Sequence, residues 1–106
     1  MEIIHDAENG RFYTIIDEME SGIHYWYEGD DRSVINVYRT FVPEALRGRH
    51  IAEHLVGAVI DFAKSNSLHI HPTCSYVVSY FRRHKEHASL LSDNTDPENG
   101  GSCRIR

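Results

Sequence analysis

Two short stretches carry residue types and spacings that could do chemistry. The first is Arg47, Gly48, Arg49, His50, Ile51, Ala52, placed after VPEAL and before a long amphipathic run. A strand, a short loop with a glycine and two arginines, and a helix make an anion site. The first backbone N–H groups of a helix lack internal partners and face outward with the positive end of the macrodipole behind them. Arg47 and Arg49 add formal charge beside those donors, so a phosphate or pyrophosphate is the natural ligand. The same residues also fit a plain connection with solvated arginines, because short glycine motifs are common.

The second stretch is His69, Ile70, His71, Pro72, Thr73, Cys74, Ser75, Tyr76. Cys74 follows a proline and falls at the first turn of an expected helix, where the dipole favours a thiolate and a nearby imidazole adds to the effect. A thiolate there is a candidate nucleophile for covalent catalysis. It could instead line a pocket, or simply pack, as most free cysteines do. His71, His69 and His84 are candidate bases because imidazole titrates near working pH. Alternation sets His69 and His71 on one strand face, with His69 read as a surface histidine.

The elements that must position these groups follow from periodicity. Glu2 to His5 is a short apolar piece, and Asn9–Gly10 signals a hairpin. Arg11 to Asp17 reads as a strand, Glu18 to Gly22 as a polar connection, and Ile23 to Glu28 as an aromatic strand. After a turn at Gly29, Asp30, Asp31, the longest strand runs from Ser33 to Val42 and stops at Pro43. Ala52, Leu55, Val56, Val59, Ile60 and Ala63 recur at helical spacing. They place a helix from Glu44 or Leu46 to Ser65, with Asn66 expected in the left-handed cap. Leu68 to His71 is a short strand, Cys74 to His84 a helix, and Glu86 to Leu91 a last short helix. Four successive strands make an antiparallel meander, and the long helix is a crossover that sets the fifth strand parallel to the fourth. Ligands bind where such parallel strands feed helices, and both chemical stretches lie at that end.

Composition narrows the classes. A chain of 106 residues makes one domain. Residues 1–91 carry the fold, and 92–106, rich in Asp, Asn, Pro and Gly, are expected to form a disordered tail. The formal net charge of −5 argues against a generic nucleic-acid binder, although eight histidines charge as pH falls. No apolar run approaches the roughly 18 residues of a membrane span. Met1 to Gly10 lacks a basic segment followed by an apolar one, so no secretory signal is expected. Two cysteines, Cys74 and Cys103, do not make a disulfide framework, and a cytoplasmic protein with reduced thiols is expected.

The pair VPEALRGRHIAEHLVGAVIDFA and HIHPTCSYVVSYFRRH resembles the small single-domain branch of the GNAT N-acetyltransferase-like proteins, from the first hairpin to about Leu91. The resemblance implies a minimal α/β (α+β) GNAT-like fold: meander, crossover helix, parallel fifth strand and C-terminal helix. It implies acetyl-CoA as co-substrate and an unidentified amine as acceptor. The turn Arg47, Gly48, Arg49, His50, Ile51, Ala52 would hold the pyrophosphate by its backbone amides. Pantetheine would lie between the strand ends at Val42 and His71, with the thioester towards Cys74. Tyr76 and Arg83 join the expected CoA contacts. Arg82 and Arg83 could grip the 3′-phosphate or cap the helix carbonyls, and Tyr76 and Tyr80 could equally be packing residues. The sequence departs from the family pattern at His50, where relatives usually have glycine, and at Arg39 and Phe41, where no base stands. His50, His54, Glu53 and Asp61 hint at metal ligands, but no third ligand falls at a recognised spacing, so no metal is expected. Tyr25, Trp26 and Tyr27 pack the sheet, and one of their faces could line an acceptor pocket or a dimer surface. The expected state is a monomer or weak homodimer. Two rival classes remain: a CoA-binding module without turnover, and an interaction domain with no ligand.

Overall fold

The computed structural model describes residues 1–92. Its strands are β1 (Ile4–Asp6), β2 (Arg11–Ile16), β3 (Met19–Glu28), β4 (Val34–Phe41) and β5 (His69–Pro72). Its helices are α1 (Ile51–Ser65) and α2 (Ser75–Arg83), with 3₁₀ turns at Glu44–Leu46 and Lys85–Leu90. The strands form one sheet in the order β1-β2-β3-β4-β5. The first four run antiparallel and β4 pairs with β5 in parallel. This is the expected α+β architecture with a crossover helix.

Alternation along the strands sends one set of side chains to the core. Phe12, Ile23, Tyr25, Ile35, Val37 and Ile70 are all buried. They meet the apolar stripe of α1, where Ile51, Leu55, Val56, Val59, Ile60 and Ala63 are buried. Val77, Tyr80 and Phe81 of α2 complete the same cluster. His5 is held among aromatic rings. It stacks on Phe12 with centroids 4.0 Å apart, meets Phe62 edge-on at 4.6 Å, and its Nε2 lies 2.7 Å from the Tyr25 hydroxyl.

Local departures from expectation have physical reasons. Glu18 to Gly22 is not a polar connection: β3 already begins at Met19, opposite Ile16. Asp17 and Glu18 both take left-handed backbones (φ 53° and 67°), giving a two-residue hairpin without the usual Asn-Gly signal. The long helix does not begin at Glu44 or Leu46. After the 3₁₀ turn, Arg47 is extended, and Gly48 and His50 have positive φ before α1 starts. The left-handed residue after α1 is Ser67 (φ 57°), not Asn66 (φ −116°), whose side-chain amide instead donates to the Phe62 carbonyl. The last short helix is a 3₁₀ turn. After it, Leu91 bridges to Ile70, and the Ser92 N–H donates to the Ile70 carbonyl at 2.9 Å. The expected tail beyond Ser92, and Cys103 within it, lie outside the described residues.

One irregularity bears on the site. β3 pairs His24 with Arg39 but Tyr25 with Val37, so Tyr38 is an extra residue in β4. A bulge of this kind bends its strand and breaks the ladder locally.

Candidate functional site

β4 and β5 run together only from Val34 to Val37 and from His69 to Pro72. The Val37 carbonyl then accepts from two successive amides, Thr73 N–H at 3.0 Å and Cys74 N–H at 3.1 Å. Beyond it β4 bends at the Tyr38 bulge and continues to Phe41, while the other chain turns at Cys74 into α2. A gap opens between the two. Backbone groups on the β5 side of β4 lose their strand partner there, which leaves an edge able to pair with an extended, amide-bearing ligand.

At the mouth of this gap the Cys74 thiol lies 3.5 Å from Thr40 Oγ1, as a donor to it. Cys74 is half-buried and is the N-cap of α2, without a side-chain capping bond. Further along β4 comes the turn. Leu46 is fully buried and anchors it, while the Arg47 Nε–H donates to the Val42 carbonyl at 3.3 Å. Gly48 has φ 88°, and a Cβ there would meet nothing within 4 Å, so conformation, not room, calls for glycine. His50 adopts φ 63° and ψ 23°, the left-handed geometry a glycine would take. Histidine visits this region more often than most residues. The ring points outward and its Nδ1 bonds the Glu53 carboxylate.

The first helical bond of α1 runs from the His54 N–H to the His50 carbonyl, and no side chain caps the helix. The amides of Ile51, Ala52 and Glu53 therefore lack helical partners. They border two adjoining hollows of about 230 and about 260 Å³. Val42, Arg47, Ala52 and Tyr76 line both; Gly48, His50, Ile51 and Glu53 line the first, and Thr40 the second. The bond from His50, helped by Arg83 and His84, pulls the Glu53 carboxyl below its ordinary range. Burial, then Glu53, pushes the Tyr76 phenol up, which keeps it a hydrogen-bond donor.

The structure thus gathers Val42, Arg47, Gly48, His50, Ile51, Ala52 and Tyr76 around one concavity, with Cys74 joined to it through Thr40. Arg49 is directed elsewhere: its Nη1 donates to the Asp17 carboxylate at 3.1 Å, on the β2–β3 hairpin. Arg83 stands beside Tyr76 and donates to the Ser79 carbonyl at 3.4 Å. His71 belongs to the other sheet face. Its Nδ1 lies 2.7 Å from Glu28 Oε2, which also accepts from Asn36 Nδ2 at 2.7 Å. The Thr73 hydroxyl donates to Asn36 Oδ1 at 2.7 Å. Thr40, Glu28 and Asn36 were missed by sequence reasoning, since only the register and the bulge reveal which face each occupies. Among the described residues no three His, Cys, Asp or Glu side chains converge as metal ligands would.

Comparison with known proteins agrees with this fold. Residues 11–90 match the family model of the GCN5-related N-acetyl-transferases. Protein NATD1 of Gallus gallus is 30% identical over 82 residues, covering 77% of this chain and 74% of that one. The Homo sapiens Protein NATD1 is 30% identical over the same length, with 77% and 73% covered. The NMR solution structure of a GCN5-like protein from Staphylococcus aureus superposes with a TM-score of 0.69 at 27% identity, covering 86% of this chain and 87% of that one.

Proposed function

The chain belongs to the GCN5-related N-acetyltransferase family, and on that premise we propose that it binds acetyl-CoA and transfers the acetyl group to an amine. The observation that carries this reading is the juxtaposition of an uncapped helix start with an open strand edge and a thiol. The amides of Ile51, Ala52 and Glu53, with Arg47, face the hollow suited to a pyrophosphate. The pantetheine amides pair with β4 in the gap beyond Val37, and the thioester reaches Cys74.

In this reading the Cys74 sulfur attacks the thioester carbonyl. The carbon–sulfur bond to CoA breaks and CoA leaves as its thiol with the cysteine's proton. An amine then attacks the acetyl-cysteine; the amide forms, and the cysteine sulfur leaves and regains a proton. Tyr76, which lines both hollows, offers its hydroxyl as a donor there. His71, oriented by Glu28, takes the proton of the amine from the opposite face. We place the protein in the cytoplasm as a monomer or weak homodimer. No helix of the described residues is long and apolar enough to cross a membrane.

Intact-mass spectrometry after incubation with acetyl-CoA tests the reading, on the wild type and on Cys74→Ala. The expected result is one acetyl group on the wild type only, removed by neutral hydroxylamine. Turnover of acetyl-CoA by both forms without an adduct would replace the covalent route by direct transfer to the amine. A CoA-dependent rise in thermal stability with no turnover of any kind would establish the alternative, a non-catalytic CoA-binding or interaction module.

A further inference from the structure

We propose that a separate hollow, at the end of the sheet away from Cys74, binds a free α-amino acid with an apolar side chain. The hollow measures about 280 Å³ and lies between the β1–β2 turn and the end of β3, with Glu8, Trp26, Tyr27 and Arg32 in its wall. Tyr27 pairs with Ile35. Thr40, beside the Cys74 thiol, stands five residues further along β4, roughly 15 Å away. The site is therefore distinct from the acetyl-CoA gap, and its assignment stands whether or not acetyl transfer does.

The backbone supplies the first half of the site. Pairing of β2 with β3 ends at Arg11 and His24, followed by one turn bond from the Tyr25 N–H to the Gly10 carbonyl at 2.8 Å. Alternate residues of a strand present their N–H and C=O to the same neighbour. Tyr27 thus turns both groups to the side of Gly10, past the point where the turn has left β3, and no described residue bonds them there. A donor and an acceptor on either side of one Cα match the carboxylate and ammonium of an α-amino acid, which are likewise joined through a single carbon.

The side chains repeat that pattern in full charges. Arg32 has a left-handed backbone, φ 55°, a conformation that persists in an arginine only where its surroundings hold it. Its guanidinium lies 4.2 Å from the Tyr27 ring centroid. Stacked in this way, it keeps its N–H edge for an in-plane carboxylate. Glu8 lines the same hollow, yet Arg32 and Glu8 form no ion pair with each other or with any described residue. The neighbouring acids are engaged elsewhere: Asp6 bonds Asn9 and Arg11, and Asp31 accepts from Ser33. Asp30 does not line the hollow. A simple anion would meet the charge of Glu8 and a simple cation that of Arg32, whereas a zwitterion satisfies both. Trp26, 52% exposed, completes the wall with an indole, against which an apolar side chain leaves water.

Trp26 is the only tryptophan, so its emission follows binding, and calorimetry reads the same titration independently of the ring. The full chain is titrated with four probes: phenylalanine; phenylalaninamide, which lacks the carboxylate; 3-phenylpropionate, which lacks the ammonium; and glycine, which lacks the side chain. The expected result is saturable binding of phenylalanine, with each of the other three weaker by about tenfold or more. Arg32→Gln should weaken phenylalanine about tenfold and no longer prefer it to the amide, and Glu8→Gln should do the same with respect to 3-phenylpropionate. Both side chains are exposed, and an unchanged melting temperature shows that the variants are folded. No saturable signal by either readout, or equal affinity for phenylalanine and its two truncated analogues, would overturn the proposal, as would variants that leave all four affinities unchanged. Displacement of phenylalanine by CoA would place the amino acid in the acetyl-CoA gap and overturn it as well.

Discussion

Glu28 on β3 and His71 on β5 meet across β4, with Oε2 and Nδ1 2.7 Å apart at a separation of 43 residues. The same carboxylate oxygen accepts from Asn36, whose own oxygen accepts from Thr73. Three strands are thus pinned beside the point where the sheet opens. Asn36 is only 7% exposed, so its amide depends on this partner.

Removal of the carboxylate should therefore cost more than removal of its charge. Glu28→Ala leaves the Asn36 amide without its acceptor and should destabilise by about 2 kcal/mol, within the range for a stranded buried donor. Glu28→Gln keeps an acceptor oxygen and should cost about half of that. Urea denaturation of both variants measures the difference, and equal losses would show that the network contributes through charge alone.

Gly10 and Gly48 both have positive φ, but only one is crowded. A Cβ on Gly10 (φ 65°) would sit 2.5 Å from the Tyr25 carbonyl oxygen, in the turn whose Gly10 carbonyl accepts the Tyr25 N–H at 2.8 Å. Gly10→Ala combines strain with a backbone clash and should cost about 3 kcal/mol or more. Gly48→Ala meets only the conformational penalty, about 1 to 2 kcal/mol. Thermal melts that ranked the two in the opposite order would contradict the packing around Tyr25.

The His5–Tyr25 pair makes stability depend on pH at both ends. Burial lowers the His5 pKa from 6.5, against a smaller opposing effect of Asp6. Below 6.5 the unfolded chain takes up a proton that the fold resists, so stability falls on acidification. Burial, then Tyr27 and Asp6, pushes the Tyr25 phenol from 10.0 to about 12. There the unfolded chain ionises first, and stability falls as pH rises from about 10 to about 12. Tyr25→Phe cannot ionise, so the wild type should lose stability relative to it across that alkaline window. A constant difference between the two proteins would refute the assignment.

These dependences separate what could be read from the chain from what could not. Alternation in Phe12, Thr14, Ile23, Tyr25, Ile35 and Val37, and helical spacing from Leu55 to Ala63, are local signals, and they were enough for the meander and the crossover. The Asp17–Glu18 hairpin carried no glycine or asparagine; strand pairing between Ile16 and Met19 imposes it against local preference. The Tyr38 bulge leaves no mark in composition, and without it the faces of Thr40 and Arg39 could not be assigned. Arg49 was read beside the phosphate turn because its partner, Asp17, is 32 residues away on another hairpin. The turn itself was legible as a glycine-bearing loop leading into a helix, but Glu53 was noted only as a metal hint and Glu28 only as a strand end.

Glu53 is an odd neighbour for a phosphate. Its carboxylate lines the hollow and is held ionised by the bond from His50. If the pyrophosphate occupies this hollow, as proposed, Glu53→Gln removes a like charge beside it and should tighten CoA about threefold to tenfold, most clearly at low ionic strength. Isothermal titration of CoA at two salt concentrations measures this. Weaker binding by the glutamine variant would mean that the carboxylate acts chiefly by orienting His50 towards the ligand.

The contact of Cys74 with Thr40 offers a way to separate a reactive thiol from a merely adjacent one. The thiol donates towards Thr40 Oγ1 at 3.5 Å, which fixes the sulfur at the mouth of the gap. Thr40→Val keeps the volume and the β-branch and removes only the acceptor. If the sulfur attacks the thioester, losing its orientation should slow acetyl-adduct formation about tenfold while CoA affinity stays within about twofold. If transfer is direct, the thiol only lines the pocket, and Thr40→Val should leave acetyl transfer unchanged. Single-turnover mass spectrometry of the adduct, paired with CoA titration of the same variant, distinguishes these outcomes. A parallel loss of affinity and rate would place Thr40 among the cofactor contacts instead of with the nucleophile.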